Sequence, residues 1–161
     1  MFSYLTKFNR VVARICLWFS GFGLVMMTAI IGWQVFARYV LNDSPIWSES
    51  FCLLLMLYFI LFAAAAGVRD SSHIGLVIIR DSLPEQLRRI VLVVIHLIVF
   101  AFGAGMVWFG IDMVTSTWSH VIPTLALPTG ASYLPFPLSG VLFMLFSLEH
   151  VFSTILNRVE S

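Results

Sequence analysis

Residues 44–74 read SPIWSESFCLLLMLYFILFAAAAGVRDSSHI. Ser50 to Val68 form a run of nineteen uncharged residues between Glu49 and Arg69. At about 1.5 Å per helical residue this run covers roughly 28 Å, close to the hydrocarbon thickness of a bilayer. Its flanks have the chemistry of a membrane helix entered from water. Ser44 can cap a helix that begins with Pro45, Trp47 suits the interface, and Glu49 is favoured by the helix dipole. The segment reads as a transmembrane helix.

The rest of the chain agrees. Of its 161 residues 60% are hydrophobic and only 11% charged, well under the quarter usual in soluble domains. No soluble fold of this length has enough interior to hide so much apolar surface, so the solvent must be lipid. A formal net charge of +1 argues against a nucleic-acid partner. Breaking the chain at its charges gives spans at about 15–37, 50–68, 90–111 and 136–156. The last uncharged stretch, Met113 to Leu148, holds Pro123, Pro128, Pro135 and Pro137. Proline is tolerated in the first turn of a helix and not in its middle, so the fourth helix should open near Pro135 or Pro137. The expected fold is all-α: a single integral membrane domain, residues 1–161, of four transmembrane helices. The first span, with no small-x-small cleavage site after it, is expected to be retained rather than cleaved as a signal peptide.

Orientation follows from the basic residues. Lys7, Arg10, Arg14, Arg69, Arg80, Arg88, Arg89 and Arg158 fall on one side of these spans and Arg38 alone on the other. Both termini are therefore expected in the cytoplasm. Trp33, Trp47, Trp108 and Trp118 all fall at the outer ends, with Trp18 at the inner boundary. Between the second and third spans, "IGLVII" (Ile74–Ile79) is expected to lie in the inner interface. The "SLPE" after it, Ser82–Glu85, reads as a capping box that starts the third helix and runs on for about twenty-nine residues, roughly 43 Å.

Few residues carry chemistry. Cys16 and Cys52 are most of a bilayer apart and read as small apolar fillers. A haem held between helices needs histidines at matching depth, and only His96 and His150 approach that. Glu149 is the most deeply placed carboxylate. An intramembrane acid is a functional candidate by default, but a lone acid reads better as one that reaches the headgroups or pairs with a base such as Arg14. Thr28/Gly32, Ala63/Gly67 and Ala101/Gly105 are small pairs four residues apart that would let backbones approach closely. No catalytic, cofactor or metal constellation is present in this reading.

The order of features resembles the DctQ-like small membrane subunit of tripartite ATP-independent periplasmic (TRAP) transporters. The family's Gln-Val-x-x-Arg-Tyr run is matched by Gln34, Val35, Arg38 and Tyr39. Its proline, tryptophan and glutamate opening the second helix are matched by Pro45, Trp47 and Glu49. A basic residue followed by His-Ile is matched by Arg69, His73 and Ile74, and Leu-Pro with downstream arginines by Leu83, Pro84, Arg88 and Arg89. "LALPTGASYLPFPLSG" (Leu125–Gly140) is similar to the family's entry to the fourth helix. This chain departs in having Ser48-Glu49 where the family often has an acidic pair.

The resemblance implies a non-catalytic scaffold subunit, multi-pass in the bacterial inner membrane, without a cofactor. Its implied partners are a large multi-span subunit that moves substrate in a sodium-coupled, elevator-like domain, a periplasmic substrate-binding protein, and membrane lipid. The implied cargo is an organic acid, sialic acid or a C4-dicarboxylate. Arg38, Trp47, Glu49 and His73, as matches to the family's polar positions at helix ends, are the expected docking residues on the large subunit. The alternatives are a four-helix b-type cytochrome, which needs paired histidines, and a self-contained channel or exporter, which needs a polar stripe through the spans.

Overall fold

The computed structural model of the chain describes residues 2–43, 45–69 and 84–156. Four long helices dominate it: α1 (Phe2–Tyr39), α2 (Ile46–Arg69), α3 (Glu85–Thr117) and, after a short hairpin β1 (Val121–Ile122) with β2 (Leu127–Pro128) and the single turn α4 (Gly130–Tyr133), α5 (Pro135–Leu156). All four are long and apolar enough to cross a membrane. Ser44, the interfacial segment Ile74–Ile79, His73 and Ser82 lie outside the described residues. The residue preceding α3 is Pro84, with no side-chain capping bond.

Helix ends follow local chemistry. α1 meets no proline before Pro45, so it runs through Arg38 and stops where Asn42 turns left-handed at φ 52°. Asparagine tolerates that conformation. The NH groups of Val40, Leu41 and Asp43 close the end on the carbonyls of Phe36 and Ala37. α3 runs past Asp112, where the sequence reading ended its span, to Thr117. Its last turns keep their hydroxyls on the helix's own carbonyls, Thr115 on Ile111 and Thr117 on Met113, so polar residues there do not break it. α5 opens on Pro135, with Pro137 also in its first turn. Neither position needs an NH there.

The helices pack as an open row. α1 lies against α2, α2 against α5 and α5 against α3, while α1 touches α5 only slightly. The core runs along the middle of that row: Ala13 and Cys16 from α1, Ala65, Ala66 and Val68 from α2, Phe143 and Phe146 from α5. Both cysteines are free and buried. Small residues decide how close the helices come. A Cβ on Gly103 would sit 2.8 Å from the Gly140 carbonyl oxygen, and one on Gly140 would sit 2.8 Å from the Gly103 carbonyl oxygen. The α3–α5 backbones thus touch at a glycine pair, where dispersion and weak hydrogen bonds act at close range. The small pairs read from the sequence do not serve this purpose within the chain. Gly32, Gly67 and Gly105 each face open space.

The α3–α5 connection is pinned to α2 at Ser50 and Tyr58. Tyr58 donates its hydroxyl to the Ala131 carbonyl at 2.8 Å, and Thr124 donates to Ser50 Oγ at 2.8 Å. In the hairpin, Val121 pairs with Pro128 and Ile122 with Leu127.

Candidate functional site

Five side chains from four helices meet near the end of the row where α2 finishes. α1 contributes Asn9, which opens a buried stripe continued by Ala13, Cys16 and Ser20 at helical spacing. α2 contributes Arg69 at its last residue, α3 contributes His96, and α5 contributes Glu149 and His150. Glu149 is only 6% exposed. Its Oε2 accepts a hydrogen bond from Asn9 Nδ2 at 2.8 Å, and its Oε1 lies 3.6 Å from Arg69 Nη2. The pairing with Arg14 expected from the sequence is not the one formed. Arg14 is exposed, whereas Arg69 and Asn9 converge on the carboxylate.

The histidines join the same junction. His150 Nε2 lies 2.8 Å from the Arg69 carbonyl; a carbonyl can only accept, so Nε2 carries the proton. The His150 ring stacks on His96 with centroids 4.6 Å apart and planes within 5°. In the sequence these two are only an approximate pair in depth; in the fold they come into face-to-face contact. A haem between two imidazoles needs one nitrogen of each directed at a shared iron. Rings lying flat on one another do not have that geometry. Among the described residues no cluster of three histidine, cysteine or acidic side chains could hold a metal.

Chemically the junction is a clamp. It holds a carboxylate between a neutral amide and a guanidinium and ties α1, α2 and α5 by polar bonds, with α3 joined through the stacked rings. In hydrocarbon an unpaired polar group has no water to turn to, so such a network fixes which helices adjoin. His96 Nδ1 and Ser147 Oγ are buried beside no described hydrogen-bond partner. The sequence reading missed Asn9 entirely. Its signal was there, as the one strongly polar member of an otherwise small-residue stripe.

Three of the expected docking residues, Arg38, Trp47 and Glu49, gather at the opposite end. Arg38 is exposed on the last turn of α1, and Glu49 is exposed in the first turn of α2. Trp47 is 45% exposed and leans edge-on against Phe51, with centroids 6.1 Å apart. The α1–α2 turn therefore presents a cation, an indole and a carboxylate together. His73 lies outside the described residues.

Elsewhere the spans are plain. Ser20 donates to the Phe59 carbonyl, Thr28 to Leu24 and Ser139 to Pro135, so these hydroxyls are bound to backbone rather than lining a path. A chain with these features has relatives. Over 130 residues it is 25% identical to the sialic acid TRAP transporter small permease protein SiaQ of Vibrio cholerae, covering 81% of this chain and 75% of that protein. It is 26% identical over 142 residues to a putative TRAP transporter small permease protein of Haemophilus influenzae, covering 88% of this chain and 84% of that one. A third similarity has a different shape. It is 27% identity over 94 residues to the sialic acid TRAP transporter permease protein SiaT of Haemophilus influenzae, and it covers 58% of this chain but only 15% of that longer protein. Residues 27–157, which hold the α1–α2 turn, the Arg69–Glu149 clamp and the glycine crossing, match the family described as tripartite ATP-independent periplasmic transporters, DctQ component. With four membrane-length helices and that match over most of its length, the chain belongs to the DctQ family of TRAP transporter components and is a multi-pass protein of the inner membrane.

Proposed function

We propose that this chain is the non-catalytic small subunit of a sodium-coupled TRAP transporter that imports an organic acid. Sialic acid or a C4-dicarboxylate is the cargo, and the subunit braces a large elevator-type partner in the membrane. The observation that carries this reading is the open row. Four helices side by side, clamped at one end and stitched at the other, make a broad, stiff apolar plate. Such a plate suits a frame, because a moving domain needs a fixed wall and extra helices enlarge the area held against lipid. A transport site needs the opposite: broken helices and polar groups near the midplane. The similarity of this chain to 15% of a longer permease supports a close association with a large subunit.

In this reading both termini face the cytoplasm, with the turns around Asn42 and Thr124 in the periplasm near the substrate-binding protein. Arg38, Trp47, Glu49 and His73 position the chain on its large partner. The direct test is solute uptake into vesicles with each component left out in turn. The lone chain should take up no organic acid under a sodium gradient, and the large subunit with its binding protein should be impaired without it. Sodium-driven uptake by this chain alone would revive a self-contained transporter. For docking, Glu49→Gln should lower copurification of the large subunit while membrane insertion stays normal. Unchanged complex yield with all four residues substituted would remove them from the interface.

A further inference from the structure

α1 has two distinct faces, and among the described residues only one packs into the bundle. Asn9, Ala13, Cys16 and Ser20 point into the protein. About 120° around the helix, at 100° per residue, Lys7, Arg10 and Arg14 form an exposed basic stripe. Among the described residues no carboxylate pairs with any of them. The stripe continues without a break into a groove of about 460 Å³ lined by Arg14, Leu17, Trp18, Gly21, Phe22 and Val25. Gly21 forms its floor, with nothing within 4 Å of where a Cβ would stand. Trp18 is 76% exposed at its rim.

We propose that this face of α1 is a binding site for one anionic phospholipid, with the phosphate on Arg14, Arg10 and Lys7 and an acyl chain along the groove. Three observations converge on that occupant. The charge is complementary: three cations lie within about 10 Å of helix, above a wall that is otherwise apolar. The length fits, because Arg14 to Val25 spans about 16 Å, close to half of a roughly 30 Å hydrocarbon core and so to one leaflet. The order fits too, with basic side chains, then an interfacial tryptophan, then a shallow apolar groove along one helix face, which is the order of headgroup, interface and chain in a lipid. The site lies in whichever leaflet meets the N-terminal end of α1.

The test uses the full chain with Trp33, Trp47, Trp108 and Trp118 changed to Phe, so that Trp18 alone fluoresces. It is reconstituted in phosphatidylcholine vesicles holding a minor fraction of either brominated-chain phosphatidylglycerol or brominated-chain phosphatidylcholine. Quenching of Trp18 should be stronger with the anionic lipid, and Arg14→Gln should reduce that preference about fivefold. Gly21→Leu keeps every charge but fills the groove floor, and it should lower quenching by both lipids. Inorganic phosphate should leave the quenching unchanged. Equal quenching by the two lipids, a preference that survives Arg14→Gln, or quenching unchanged by Gly21→Leu overturns the proposal. So does relief by inorganic phosphate, which would mark a simple anion site.

Discussion

Replacing Glu149 tests the clamp at its centre. The carboxylate accepts from Asn9 and faces Arg69, and the Glu149 and Arg69 side chains are 8% and 14% exposed. Removing one partner of a buried ion pair in a soluble protein costs about 3–5 kcal/mol, mainly because the other charge is left uncompensated. Two facts reduce that figure here. The Arg69 contact is long at 3.6 Å, and polar contacts between helices in membranes average about 0.6 kcal/mol because the unfolded state also finds partners. Glu149→Ala strips both contacts and should cost about 2 kcal/mol. Glu149→Gln keeps an acceptor for Asn9 and loses only the charge, so about 1 kcal/mol is expected. The double variant Glu149→Leu with Arg69→Met removes both charges together and should cost less than the sum of its parts. It also leaves intact the bond from His150, which goes to the Arg69 backbone carbonyl. Equilibrium unfolding in mixed detergent micelles, followed by circular dichroism, measures all three. A Glu149→Ala protein as stable as wild type, or strictly additive single changes, would refute the clamp.

The two kinds of glycine should behave oppositely in the same assay. Gly103→Ala or Gly140→Ala drives a methyl to 2.8 Å from a carbonyl oxygen and should cost about 1–3 kcal/mol, whereas Gly32→Ala, facing open space, should be neutral or stabilise by up to about 1 kcal/mol. Tyr58→Phe removes the hydroxyl bond to Ala131 and should cost about 1 kcal/mol, with faster amide exchange confined to the hairpin and α4. A cysteine at Asn42 should react with an impermeant thiol reagent from outside intact cells, against the background of buried Cys16 and Cys52; labelling only after permeabilisation would invert the orientation.

The number of membrane helices was legible in the sequence, because partition into hydrocarbon depends on local composition alone, whereas α1 and α3 extend beyond their apolar runs. Ser50–Val68 announces a span without reference to any other residue, and Pro135 announces a helix start for the same local reason. The matches around Arg38, Trp47 and Glu49 likewise identify the family before any folding is known. Which faces meet was not legible. In water the apolar face of a helix is the buried one, but in lipid both faces are apolar, so Phe22, Val25 and Phe109 are as exposed as Phe146 is buried. Ala101/Gly105 and Gly103 look alike in sequence, yet only Gly103 has a partner backbone, Gly140, against it. The same holds for charge. Glu149 could be paired on paper with any base near its depth, and proximity in depth favoured Arg14. The row order α1–α2–α5–α3 instead turns Asn9 and Arg69, 140 and 80 residues away, onto the carboxylate. It leaves Arg14 on a different face of its helix. Only the tertiary structure decides this, because a buried charge is satisfied by whatever donor the neighbouring helix carries past it, and the neighbour is chosen by close packing along the whole helix.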